Sequence, residues 1–224
     1  VCSPDLSSAA TTYENGAPQL VDSFGNHFHG ALFAIHRALA ETGDDALART
    51  LAFNERVLKQ YPGRWGFLHN NAALAARDLG VQRAQAGDES AAMELWERSY
   101  RHYEQAVALS PDDARIVNDC GLMLVYHLGR DLERARSMFE RAIALGTAQL
   151  AALPADTPAR DRENLEEAVG DAWQNLAVLA RQHEKKPFAE YRRFCEEAVQ
   201  FFPYQRREAA RLLRTEGADD LPST

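Results

Sequence analysis

The chain has 224 residues, 33 acidic and 25 basic, for a formal charge of −8 with the two signs interspersed. That pattern is a solvated acidic surface without a basic stripe or aromatic platforms, so nucleic acid is not an expected partner. Cys2, Cys120 and Cys195 show no CxxC spacing, which removes the usual zinc, redox and haem-attachment motifs, and no apolar run approaches the ~20 residues that cross a bilayer.

Residues 1–23 hold Pro4, Gly16 and Pro18 among serines and threonines with little periodic apolar content, and read as an irregular arm. From Phe24 onward Ala, Leu, Glu and Arg dominate and apolar residues recur every three or four positions, which predicts helices throughout 24–216 and no strands. A first hairpin, about Phe24 to Pro62, turns at Gly43-Asp44-Asp45. A second, long one runs from Arg64 to Gly87 and back from Asp88 to Ser110. The third spans about Asp112 to Leu153 and turns at Gly129-Arg130-Asp131. Pro154 and Pro158 frame a connection, and the fourth starts at Thr157 as N-cap with Pro158 in the first helical position, turning near Glu184 to Pro187. Tyr204 to Thr215 reads as a polar final helix with Arg206, Arg207, Arg211 and Arg214 outward, followed by a tail, 217–224. The chain starts at Val1, so a removed leader would leave no trace and the compartment stays open between cytoplasm and export.

Four short stretches align without gaps: Asn54-Glu55-Arg56-Val57-Leu58, Tyr103-Glu104-Gln105-Ala106-Val107, Phe139-Glu140-Arg141-Ala142-Ile143 and Cys195-Glu196-Glu197-Ala198-Val199. Pro62, Pro111 and Pro203 follow three of them at one fixed offset, where the third copy carries Thr147. A small residue in the fourth place lets two helices approach, an aromatic three places earlier fills the gap one turn away, and a proline ends the helix. Such units bury an apolar face only by packing on neighbours. Upstream lie possible partner helices: Trp173-x-x-Leu176-Ala177-x-x-Ala180, Val117-x-x-Cys120-Gly121-x-x-Leu124 and His69-x-x-Ala72-Ala73-x-x-Ala76.

In these residues the chain resembles the tetratricopeptide repeat family, whose first helix reads W-x-x-L-G-x-x-Y and whose second carries A-x-x-x-F-x-x-A and then P. Ala135, Phe139 and Ala142 fit the second pattern. From the first-helix small residue to the second-helix alanine, Gly121 to Ala142 and Ala177 to Ala198 span 21 positions and Ala73 to Ala106 spans 33, wider than in the family. The resemblance implies an all-α fold of stacked antiparallel helix hairpins, an α-solenoid of about four hairpins closed by a C-terminal capping helix. It also implies a concave surface lined by the first helices. Carried over by position, that surface takes Phe67, Asn70, Leu74 and Arg77 from the second unit, and Arg115, Asn118, Leu122 and Val125 from the third. The fourth supplies Asp171, Gln174, Val178 and Arg181.

An amide both donates and accepts, so Asn70, Asn118 and Gln174 can pair with an extended peptide while the aliphatic row supplies contact area. Arg77, Arg115 and Arg181 can meet a carboxylate or phosphate. The alternative is that the amides satisfy neighbouring helices and the arginines are solvated. The lysines of the family's carboxylate clamp are missing.

The expected function is therefore a scaffold that binds a protein or peptide on its concave face, without a cofactor or catalytic residues. A structural subunit that docks through the convex face or the arm is the alternative. A metal-dependent enzyme built on His27, His29 and His36 is the third reading, although no HExxH spacing accompanies them. His69, His102, His127 and His183 show no pattern.

Overall fold

The computed structural model describes residues 46–60, 62–63, 65–202 and 205–216. The expected arm, the Gly43-Asp44-Asp45 turn, His27, His29, His36, Cys2, Pro203 and the tail lie outside the described residues. Every regular element among the described residues is helical, and they comprise two compact units divided between Leu109 and Ser110.

The first unit contains α1 (Ala46–Gln60), α2 (Gly66–Gln85) and α3 (Glu89–Leu109). Leu51, Phe53, Val57 and Leu58 of α1 pack on Leu68, Ala72, Ala75 and Ala76 of α2, with Trp65, Phe67, Leu79 and Leu95 around them. Each fully buried Leu or Phe contributes roughly 1.5–3 kcal/mol, and the alanines of α2 let both neighbours approach closely. Helix α2 ends at the predicted place: Gly87 takes a left-handed φ of 82°, and Asp88 accepts from the Ala91 amide at 3.1 Å, capping α3. The two helices run antiparallel, since Gly80 faces Trp96, the Ser99 hydroxyl donates to the Ala73 carbonyl at 2.8 Å, and His69 meets His102.

The second unit contains α4 (Ala114–Met123), α5 (Leu132–Ala152), α6 (Ala159–Val178), α7 (Phe188–Ala198) and α8 (Arg207–Thr215). Asp113 caps α4 by accepting from the Ile116 amide at 3.0 Å. Gly121 packs edge-on against α5, where an added Cβ would lie 2.9 Å from Phe139 and 3.1 Å from Met138, so this position tolerates no side chain without a shift. Helices α4 and α6 each finish in a π-helical turn, Leu124–Leu128 and Leu179–His183. A π turn holds more residues than an α turn, which accommodates part of the wider spacing seen in the sequence of both hairpins. In the first unit the added length is shared between α2 and α3 instead.

Ala106, Ala142 and Ala198 are all fully buried, as are Tyr103 and Phe139 three residues before two of them. The prolines act as expected: α1 stops before Pro62 and α3 before Pro111, whereas α5, with Thr147 in that place, continues to Ala152 and stops before Pro154. At the end of the chain Ala209 and Leu212 of α8 pack with Ala177, Ala180, Tyr191, Cys195 and Ala198.

Two expectations need correction. Helix α6 starts one residue later than predicted. Pro158 is its N-cap, with ψ 136°, and the Pro158 carbonyl receives the Asp161 and Arg162 amides, so Thr157 lies outside the helix. Arg206 does not face outward. It is 2% exposed, because its guanidinium lies against Gly170 on α6.

Candidate functional site

In the second unit α4 and α6, the first helices of two successive hairpins, run side by side and parallel: Arg115 pairs with Glu167, and Asn118 with Asn175. A buried amide chain crosses this junction. The Tyr126 hydroxyl donates to Asn175 Oδ1 at 3.0 Å, Asn175 Nδ2 donates to Asn118 Oδ1 at 2.9 Å, and Asn118 Nδ2 donates to Asp119 Oδ1 at 3.2 Å. Asn118 and Asn175 are 1% and 4% exposed. Buried amides need partners, and these two supply one another. The Tyr126 hydroxyl is thereby pinned while the residue stays 45% exposed, the largest exposure among the described large hydrophobics.

The arginines have carboxylate partners within the chain. Arg115 Nη2 donates to Glu167 at 2.7 Å and to the Asn164 carbonyl at 3.1 Å, with Asp171 4.0 Å from Nη1. Arg181 Nε donates to Glu216 at 2.6 Å, and Tyr191 donates to the same carboxylate. Gln174 accepts from the Ala209 amide at 3.4 Å, near the start of α8. Val178 and Val125 are buried and Leu122 is half-buried.

Asp171 lies beside Arg206, which donates to it at 2.6 Å and to the Glu167 carbonyl at 2.9 Å. Burial raises the Asp171 carboxyl above its ordinary range; Arg206 and then Arg115 pull it back, and Glu167 adds to the rise. Gly170 makes this pairing possible: a Cβ there would lie 2.7 Å from both Arg206 Nε and Phe201 Cβ.

In the first unit Phe67 borders the core, Leu74 is half-buried, and Arg77 Nε donates to Asp78 at 2.8 Å. Asn70 is half-buried, and its Oδ1 has no hydrogen-bond partner among the described residues. Asn70 thus belongs to one unit and Asn118 and Gln174 to the other.

A second polar cluster joins α1, α2 and α3. Arg98 holds both oxygens of Glu55, His102 Nε2 lies 3.1 Å from Glu55 Oε1, and His102 Nδ1 lies 3.1 Å from His69 Nδ1. Burial alone would raise the Glu55 carboxyl, but hydrogen bonds from His102 and Arg98, and their charges, outweigh it and hold the group down at about 2. Burial, and then the charge on His102, lowers the His69 imidazole to about 4. An open cavity of about 500 Å³ lies over the cluster, lined also by Arg101, Glu104 and Gln105.

Sequence reasoning missed Tyr126, Asn175, Arg206 and this histidine pair. A signal for the pair does exist: His69 and His102 each stand four residues before the matched small residues Ala73 and Ala106, on helices that the turn at Gly87 folds together. The free thiols Cys120 and Cys195 are buried, and burial, followed by nearby Glu216, Glu208 and Glu196, pushes Cys195 up to about 12.

No protein-family model matches the chain, and no curated protein matches it.

Proposed function

We propose that the chain is a protein-interaction module of tetratricopeptide-like hairpins whose second unit holds an apolar peptide segment across the face shared by α4 and α6. The observation that carries this reading is Tyr126. Its hydroxyl is tied to a buried amide chain while the residue stays 45% exposed, with half-buried Leu122 four residues earlier on the same helix. A fixed aromatic with one wet face loses little entropy on contact and is the kind of residue that dominates recognition surfaces. Parallel packing of the first helices of two hairpins, with small residues buried at the junctions, supports the repeat-like reading.

The ion pairs refine the occupant. Arg115 and Arg181 already face Glu167 and Glu216, so capture of a partner's carboxylate would have to displace an internal one. An aliphatic or proline-rich segment lying on Tyr126 requires no such exchange. Asn118 and Gln174 remain on the expected face in this reading, but as supports that fix its helices. Replacing them tests folding more than recognition.

A random-peptide library displayed on phage and panned against the full chain tests the proposal. Selected peptides are expected to carry aliphatic or proline residues and to lose at least about tenfold in affinity, ~1.4 kcal/mol, on Tyr126→Ala or Leu122→Asp. Tyr126→Phe, which keeps the ring, is expected to retain most of the binding. Peptides that bind Tyr126→Ala and Leu122→Asp unchanged, with helicity intact by circular dichroism, would remove this face from consideration.

A further inference from the structure

The histidine pair of the first unit is arranged for a proton. With the two Nδ1 atoms 3.1 Å apart, a ring-centroid spacing of 5.3 Å is close to the largest that such a gap allows, so the nitrogens face each other nearly head-on. Two imidazoles that share an N–H···N bond take this geometry. Such a contact needs one proton between the nitrogens. Two would repel, and none would leave two lone pairs opposed.

The far side of His102 fixes its other nitrogen. Glu55 is held ionised by Arg98, so His102 Nε2 carries hydrogen and donates to Glu55. The Nδ1 of His102 is then either a lone pair that accepts from His69, or an N–H that donates to it.

We propose that Glu55, His102 and His69 form a single-proton relay, in which a proton taken up at the cavity edge of His69 is stored as charge on His102. In the neutral state His69 donates from Nδ1 to His102 and presents Nε2 as a hydrogen-bond acceptor. On uptake, an N–H bond forms at His69 Nε2, the N–H bond at His69 Nδ1 breaks, and a new one forms at His102 Nδ1. His102 becomes an imidazolium between Glu55 and His69, and His69 ends neutral with its tautomer reversed. Its outer edge has changed from acceptor to donor while the positive charge lies one ring further in.

The surroundings favour this order. Glu55 faces His102 from α1, Arg98 is spent on Glu55, and Arg101 and Glu104 of α3 line the same cavity with opposite charges. The depressed basicity of His69 agrees with its being the ring that stays uncharged.

The test is nitrogen-15 NMR of the full chain labelled at histidine, followed from about pH 8 to pH 5, where an ordinary imidazole changes charge. Both rings are expected to report one shared transition, with His69 passing from the Nδ1–H to the Nε2–H tautomer and only His102 becoming imidazolium. Two separate transitions, each producing an imidazolium, or a His69 that keeps one tautomer throughout, would overturn the proposal. These readouts need no variant. Glu55→Gln, which keeps an acceptor but removes the charge, is expected to move the shared transition at least about tenfold toward higher proton concentration; an unmoved transition in the folded variant counts against the relay.

Discussion

Both units pack helices on fully buried alanines, yet they fill the polar gaps between those helices in opposite ways. In the first unit the link between α1 and the α2–α3 hairpin is titratable: Glu55, His102 and His69 in line, with Arg98 closing the end. In the second, the buried link between α4 and α6 is a pair of neutral amides, Asn118 and Asn175, while the charged pairs lie at its more exposed edge, Arg115 with Glu167, and beside α8, Arg206 with Asp171. The apolar frame sets where helices meet. The polar insert sets how the junction responds to pH and to loss of one partner, because a buried amide keeps its charge state and a carboxylate–imidazole line does not.

The largest effect is expected at Arg206. Arg206→Met leaves Asp171, half-buried, with only the distant Arg115, and should destabilise the second unit by about 3 kcal/mol, the lower end for breaking a buried pair because Asp171 keeps some water contact. Hydrogen exchange during urea denaturation checks it, and the amides of residues 66–109 should stay unaffected. Adding Asp171→Asn should recover part of the loss; no recovery would mean that Arg206 acts by packing alone.

Gly170→Ala comes next. Its Cβ meets Arg206 and Phe201 at 2.7 Å, and the overpacking should cost about 2 kcal/mol, read from the same transition.

Acid should then separate the two units. His69 is held near 4 when folded, against 6.5 for the free group, so the unfolded chain binds more protons between those values and stability falls as pH drops from 6.5 to 4. The Glu55 contribution is complete above 4.5 and is lost as pH falls through about 2. His69→Gln should flatten the upper part of this loss in the first unit. Asn118→Ala, which strands the Asn175 amide, should instead cost the second unit about 2 kcal/mol, nearly equal at pH 7 and pH 5. Thermal unfolding at both pH values compares them, and equal acid sensitivity in the two variants would break the contrast.

The smallest effect is expected from Tyr126→Phe, which removes one hydrogen bond and should cost about 1 kcal/mol by urea midpoint. Asn175 remains tied to Asn118, so helix content should not change.

Much of this frame was readable before the structure. The aligned stretches marked Ala106, Ala142 and Ala198 as contacts because a helix can approach another only where a side chain is small. Gly87, Gly129 and Asp131 marked turns, and each adopts a positive φ. The third copy carries Thr147 in place of proline, and α5 runs on past it to Ala152. The candidate face was readable in part. Position within a helix says which way a side chain leaves the backbone, so Arg115, Asn118 and Leu122 fall on the α4 face turned toward α6 or solvent. It does not say who waits there: Asn118 bonds to Asn175 and not to its counterpart Gln174, because the neighbouring helix is offset and turned. Arg206 was read as outward on the rule that arginine seeks water, and the rule failed where a glycine opened space beside a carboxylate.

The sequence by itself determined the helical periodicity, the turns and the small residues at helix contacts, since these depend on backbone freedom and side-chain size within a few residues of one position. Only tertiary structure decided the π turns, the burial of Arg206, the pinning of Tyr126 and the alignment of His69 with His102 and Glu55. Each of those rests on groups tens of residues apart, and hydrogen-bond distances between them follow from how helices rotate and slide against one another, which no local pattern encodes.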